Sequence, residues 1–588
     1  MSSSFLKTPH LLILLALAFG FMGFSGAANA LTNAPATIFH YFGNYANDST
    51  DPESALTLSA DGTTLYGTTQ QGGIYRKGTV FSFNLKTGGE FNLYSFGSIG
   101  NDGSSPVTAV TLSSDGKILY GVTPSGGVYS KGAVFSINTK TGAETNLYMF
   151  GAIANDGSSP AGRLTLSADG TTLYGTTPYG GDNNGYYGDG TVFSINIKTH
   201  SETLVYDFGA PTNDGYWPEA GLTPSTDGKT LYGTTSQGGV YGNGTVFACD
   251  IGTGTESILY SFGAATNDGV SPIATLTPST DGTTLYGTTS KGGSYGFGTV
   301  FAIDIGTGEE TILYTFGSSD WSDGSDPVSG LSLSADGTTL YGTTSKGGVN
   351  ANGTIFGIDI ATGTETIFSN GGTSANNGFN PGLGVTLSTD GKILYGTSSQ
   401  GGWNYSSGIL FSISLPKPLA PKLTFTKPSI SVVFGTSPLS DPASSGSPGV
   451  ITYKSSNTNV ATVSGIGDIS FVGVGTSVIT ATQAAVPGYL SSTKLASVKV
   501  TAAIPTIGIL TLPSNATVSS GTFTITNPTS TSLGAFSYKS SNTMVATIKG
   551  NVITYLKAGT TTITATQAAK GNYSSGKVSA LLTVAQNP

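Results

Sequence analysis

Along most of this chain, short apolar runs rich in β-branched and aromatic residues are separated by turn residues, which is a strand pattern rather than a helical one. Residues 281–317 show the unit: DGTTLYGTTSKGGSYGFGTVFAIDIGTGEETILYTFG. In this unit we place strand A at Ala274–Thr277, B at Thr284–Thr288, C at Thr299–Asp304 and D at Thr311–Phe316. Asp281-Gly282 and Thr307-Gly308 mark tight turns, where glycine accepts a positive φ that a β-carbon resists. The tyrosine of the Leu-Tyr-Gly signature recurs at Tyr66, Tyr120, Tyr174, Tyr232, Tyr286, Tyr341 and Tyr395, at spacings of 54, 54, 58, 54, 55 and 54 residues. A period in that range marks a repeat architecture. Seven units of four strands predict an all-β fold, a seven-bladed β-propeller. The C and D runs are apolar on both faces, so each blade is expected to be covered by a neighbour on either side.

The ends of the array predict how it closes. Unit seven has its C strand at Ile409–Ser414, and then Pro416 and Pro418 stop it before a D strand. At the other end, Ala36-Thr-Ile-Phe-His-Tyr-Phe-Gly43 matches Glu144–Gly151 in pattern. Residues 36–42 are therefore expected to complete the last blade as its closing N-terminal strand. Residues 1–30 read as a secretory signal, with Lys7, an apolar core at Leu11–Phe21 and Ala28-Asn29-Ala30 as the cleavage site. That core is shorter than the ~20 residues a spanning helix needs. The propeller is placed at 31–415 and a stiff linker, PKPLAPK, at 416–422. Beyond it, residues 453–463 and 538–548 repeat one another 85 residues apart, each followed by Ile-Thr-Ala-Thr-Gln-Ala-Ala. Two Ig-like β-sandwiches are expected, at 423–503 and 504–588.

Two resemblances follow from these motifs. LYGTT-x-x-GG, then G-T-V-F-x-I, then T-G-x-E-T-x-L-Y-x-F-G resembles the GloVer-type tandem repeat of exported bacterial proteins and, more loosely, kelch repeats. This resemblance implies export and varied anchors, with no activity shared by the family. The pattern S-x-N-x-x-V-A-T followed by G-x-x-x-I-T-A-T resembles bacterial Ig-like domains of the BIG group, which implies stalk modules of surface proteins and adhesins.

Charge and rare residues narrow the chemistry. Without Lys7 the chain carries 23 basic and 33 acidic residues, a net charge of −10. An acidic chain without basic clusters argues against nucleic acid and anionic membranes, and no segment after the signal is apolar enough to span a bilayer. Cys249 takes the strand-C place of Ile137, Ile195 and Ile303, a buried small hydrophobe rather than a nucleophile. His40 takes the slot of Tyr148 in a strand, and His200 replaces a turn glycine; no catalytic or metal-binding histidine constellation is assembled from them. Glu90, Glu144, Glu202, Glu256, Glu310 and Glu365 recur at the start of strand D and read as structural or solvated. Asp102, Asp156, Asp214 and Asp268 recur in Asn-Asp-Gly runs, which Asx-turns explain, with calcium as the minority reading and no other cofactor or metal expected.

In a repeat protein the departures are the functional candidates. In an up-and-down blade the B–C and D–A loops share one face, and the three tryptophans all fall there. The ligand-binding candidates are Trp217, Trp321, Trp403, Tyr405, Tyr216, Tyr186, Tyr187, Asp182, Arg76 and Arg163. Aromatics among Asn, Asp and Gly suit stacking on sugar rings or packing against a protein, while repeated Tyr129, Tyr241 and Tyr295 read as half-buried wedges between blades. Arg163 opens strand A of unit three, where other units have Ala109, Gly221, Thr275 and Gly330. If A is innermost, its guanidinium points toward the channel mouth on the aromatic face, where it suits a carboxylate or sugar hydroxyls, and equally the carbonyls lining the channel. The expected function is an exported, secreted or surface-bound adhesion protein whose partner is an extracellular glycan or surface protein. A polysaccharide hydrolase or lyase is the alternative; it needs two carboxylates about 5–9.5 Å apart, and Asp182, Asp189, Glu219 and Asp320 are not visibly paired. A purely structural surface protein is the third reading.

Overall fold

The computed structural model describes residues 36–587 apart from 46, 183–187, 318–321, 373–380, 402–406, 417–418, 448 and 485–488. Among the described residues the regular structure is β, with a single 3-10 turn at Val518–Ser520. No helix among them is long and apolar enough to cross a membrane.

Residues 37–414 form repeated four-stranded antiparallel sheets, seven in number, in a propeller-like arrangement. In unit five the strands are Thr277–Pro278, Thr284–Thr289, Thr299–Asp304 and Glu310–Thr315, in that order across the sheet. Strand A is thus shorter than its apolar run, because most of that run faces the centre of the ring without a regular ladder. Strand D is less covered than its composition suggests. Strand C is buried except at its last residue, Asp304, whereas D is half-buried, with Phe91 and Leu204 exposed in other units. As the outermost strand, D has no sheet beyond it. In the last sheet the outer place is taken by Thr37–Tyr41, which pairs antiparallel with Ile409–Ser412.

Two sets of contacts bind neighbouring sheets. The innermost strands carry a cycle of seven hydroxyl-to-carbonyl hydrogen bonds: Thr57 to Val110, Thr111 to Leu164, Thr165 to Leu222, Thr223 to Leu276, Thr277 to Leu331, Ser332 to Val385 and Thr386 to Leu56. The last returns to the first sheet, so the ring is closed. Further out, among the described residues, a phenylalanine at the end of the outer strand meets one on strand C of the next sheet edge-on at six of the seven junctions, as in Phe96–Phe135 at 5.1 Å and Phe262–Phe301 at 5.0 Å. The sixth unit has Gly371 in that place. Phe42–Phe81, at 5.1 Å, joins the last sheet to the first. Each buried phenylalanine contributes about 1.5–3 kcal/mol relative to exposure. These rings also explain the glycine of Leu-Tyr-Gly. Gly287 lies opposite Phe301, and a β-carbon there would fall 2.4 Å from the ring's Cζ.

Residues 423–585 form two further units, each a four-stranded and a three-stranded sheet around its own core. Their duplication extends to one buried side chain: Gln483 Nε2 donates to Ser447 and Gly449, and Gln567 Nε2 to Ser532 and Gly534.

Candidate ligand site at the loop face and central channel

The D–A and B–C loops of a unit are tied into one rim. In each of six units a two-residue ladder joins them, as Gly103-Ser104 pairs with Ser125-Gly126 and Gly215-Tyr216 with Gln237-Gly238. The next residue of the D–A loop is left-handed every time and precedes a proline: Asp51, Ser105, Ser159, Trp217, Ser271 and Asp326 all have φ between 56° and 63°. Small polar residues suit that slot, whereas a bulky tryptophan in it is an outlier. Trp217 is half-buried, edge-on to Tyr179 at 6.3 Å and to Tyr216 at 5.9 Å. Its amide donates to Asp189 and its carbonyl accepts from Ser236.

Of the other predicted site residues, Arg76 is exposed on the same rim with φ 57°. Asp182 is exposed, and its amide donates to Asp207 Oδ2 at 2.9 Å. Trp321, Trp403, Tyr405, Tyr186 and Tyr187 lie outside the described residues. The repeated Tyr129, Tyr241 and Tyr295 are 50–54% exposed. Rather than wedging between sheets, Tyr129 and Tyr241 lie over Gly151 and Gly263 of their own units. Behind the rim, a cavity of about 430 Å³ is lined by Ser290, Lys291, Phe297, Ser325, Asp326 and Lys346. Lys346 and Asp326 form an ion pair there at 3.0 Å.

Arg163 lines the central channel, a cavity of about 610 Å³ bordered by the innermost segments of all seven sheets. Its walls mix apolar residues such as Ala109 and Ala220 with hydroxyl side chains such as Ser54, Thr275 and Ser329, and the charged residues lining it are Arg163 and Glu219. The backbone explains the projection of Arg163. Gly162, at φ 76°, sits so close to the fourth sheet that a β-carbon would lie 2.3 Å from the Gly221 nitrogen, and the strand bulges there. The side chain is open to channel solvent yet ringed by protein, and that burial lowers its pKa; a guanidinium stays charged regardless. Arg163 Nε donates to Thr111 Oγ1 at 3.2 Å, and among the described residues it forms no ion pair. Burial raises the pKa of Glu219.

The junctions between sheets hold carboxyl groups whose placement differs from the expectation. Asp102, Asp156, Asp214 and Asp268 are buried, and Oδ2 of each accepts from the tyrosine hydroxyl eight residues earlier and the glycine amide five residues earlier. They therefore cap the end of strand D rather than form simple Asx-turns. The D-strand glutamates are not solvated. Glu144, Glu202, Glu256, Glu310 and Glu365 are each pushed up to about 7, first by burial and then by an aspartate of the preceding junction.

One junction breaks the pattern. His40 stands where Tyr94, Tyr148, Tyr206, Tyr260 and Tyr314 stand elsewhere, and burial lowers its pKa. Ligand atoms of His40, Asp48 and Glu90 lie within 4.8 Å of one another. This cluster has no linear signature, because Glu90 comes from a different sheet and meets His40 only when the ring closes. His200 does adopt the left-handed turn conformation, with φ 60°. Cys249 is fully buried, its thiol pushed up to about 12 by burial and then by Glu256 and Asp250.

The model of the Gloeobacter/Verrucomicrobia repeat matches residues 17–237 and 225–427. The chain belongs to this repeat family. No curated protein matches this repeat protein in sequence. Among solved structures it is similar to an oligogalacturonate lyase in complex with manganese, at 14% identity and TM-score 0.43, over 66% of this chain and 97% of the other. It is also similar to a putative 6-phosphogluconolactonase from Bacteroides fragilis, at 21% identity and TM-score 0.36 over 54% and 83%. TolB from Acinetobacter baumannii stands at 14% and 0.32 over 61% and 78%. Likenesses this loose carry no argument about substrate or mechanism in the repeat protein.

Proposed function

We propose that this repeat protein is an exported binding protein. The seven sheets are the blades of a propeller, residues 423–585 form two Ig-like stalk modules, and the loop face with its channel takes a carbohydrate bearing a carboxylate. The observation that carries the reading is Arg163. A guanidinium has five N–H donors; in this channel its hydrogen-bond partner among the described residues is one neutral hydroxyl, and it faces no carboxylate in an ion pair. A carboxylate is the natural partner for such a fork, held by two parallel hydrogen bonds. The Trp217–Tyr216–Tyr179 cluster supports the sugar part, since Trp217 lies two residues from Glu219, which lines the same channel.

The test is binding of acidic and neutral oligosaccharides to the full chain, screened on an array and titrated by calorimetry, beside Arg163→Ala. We expect saturable binding of acidic sugars, weakened at least tenfold by the substitution, which corresponds to about 1.4 kcal/mol. Equal binding of neutral and acidic sugars, or equal affinity in Arg163→Ala, overturns the role of the guanidinium. Absence of any glycan binding overturns the carbohydrate reading.

A further inference from the structure

We propose that His40, Asp48 and Glu90 bind a divalent transition-metal ion, zinc being the probe of choice, that clasps the seam where the ring closes. At five junctions a tyrosine hydroxyl donates to the buried aspartate: Tyr94 to Asp102, Tyr148 to Asp156, Tyr206 to Asp214, Tyr260 to Asp268 and Tyr314 to Asp323. At the seam this donor is replaced by an imidazole. Its Nε2 is buried without a hydrogen-bond partner; Oε1 of Glu90 is unpaired too, as is the same oxygen of Glu144, Glu256, Glu310 and Glu365 at the sister junctions, so the imidazole is what sets the seam apart. Leaving a buried imidazole nitrogen unpaired is costly. A cation between it and Glu90 satisfies both.

The donor set is one imidazole nitrogen and two carboxylates. Imidazole favours zinc and its transition-metal neighbours, whereas calcium and magnesium take oxygen ligands. Asp48 is held in place by the amides of Ser49 at 2.8 Å and Asn44 at 2.9 Å, each occupying a different carboxylate oxygen and leaving lone pairs on both. The donor atoms fall within 4.8 Å of one another. Ligand atoms about 2.1 Å from a tetrahedral zinc are separated by roughly 3.4 Å, so side-chain rotation of about an ångström closes the site. Water completes the coordination. The location gives the ion a task. His40 lies on the N-terminal strand that finishes the last sheet, Asp48 follows it, and Glu90 belongs to the first sheet. A metal there joins the two ends of the array across a seam that is otherwise non-covalent.

The full chain, freed of metal with a chelator and dialysed, is titrated with zinc alone, calcium alone and cobalt(II) alone. His40→Tyr restores the residue of the five sister junctions and so keeps the fold; Glu90→Gln is the second variant. We expect one zinc per chain, visible d–d absorption on adding cobalt(II), and a thermal midpoint raised by about 2–4 °C at a hundredfold excess over the dissociation constant. In both variants zinc affinity falls at least tenfold, with the circular dichroism spectrum unchanged. No zinc binding by the native chain, undiminished binding in folded His40→Tyr, or calcium binding in preference to zinc each overturns the proposal.

Discussion

Glu365 offers a direct measure of what the inter-sheet junctions cost in charge. Its Oε2 lies 3.1 Å from the Tyr314 hydroxyl, whose single hydrogen it shares with Asp323, its Oε1 has no partner, and burial followed by Asp323 pushes its pKa up to about 7 from 4.5. The folded state therefore holds a proton that the unfolded state releases between those values. Where the native state binds more protons, stability falls as pH rises. Below about pH 4.5 both states are protonated and no penalty arises; above about pH 7 the full penalty is present. Each pKa unit corresponds to 1.36 kcal/mol, so the undiscounted penalty is about 3.4 kcal/mol. Glu365 is only half-buried by surface area, and solvent screening reduces the figure to about 1–2 kcal/mol. Glu365→Gln keeps the shape and removes the charge. Urea unfolding at pH 5 and pH 9 measures the difference: the variant gains about 1–2 kcal/mol on the native chain at pH 9 relative to its standing at pH 5. An advantage that is equal at the two pH values, or larger at pH 5, refutes the reasoning.

Other predictions follow from the same contacts. Thr223→Val removes the hydroxyl that donates to Leu276 O at 2.6 Å and leaves a buried carbonyl unpaired; unfolding in urea should show a loss of about 1–2 kcal/mol. Gly287→Ala places a β-carbon 2.4 Å from Phe301 Cζ, and a loss of about 1–3 kcal/mol from overpacking is expected in the same assay. Trp217→Ser installs the residue that other units use at this left-handed position, so stability should hold or rise by about 1 kcal/mol while glycan binding by the full chain weakens. A thermal midpoint that falls in Trp217→Ser would show the tryptophan to be part of the scaffold.

The sequence was most legible where one residue type answers to one local demand. The 54-residue period, the strand C boundaries and the pairing of the N-terminal strand all follow from apolar runs and turn glycines. The candidate site was legible where a residue departs from its sister units, which is why Arg163 could be placed in the channel. What stayed hidden depends on atoms from different sheets. Asp102 and Glu144 are 42 residues apart and meet only across a junction, so the carboxyl pairing and the raised pKa of the glutamate have no linear signature. The left-handed backbone of Trp217 left a fainter trace, in the Ser or Asp that precedes proline at the equivalent positions.

This division between repeated and unrepeated residues makes an argument about energy as well as reading. The hydroxyl cycle recurs at every junction and the edge-on phenylalanines at six of the seven because they hold neighbouring sheets together, and removing one should cost stability without touching a ligand. Trp217 and His40 do the reverse. Each sits in a slot whose ordinary occupant would be as stable or more so: a serine or aspartate with positive φ in one case, a tyrosine capping a buried aspartate in the other. A sequence that keeps the costlier residue at a repeated slot must gain something that the fold alone does not supply. Reverting each to its repeat residue therefore separates the two roles in one experiment. Stability retained with binding lost marks a functional departure, whereas stability lost would return the residue to the scaffold.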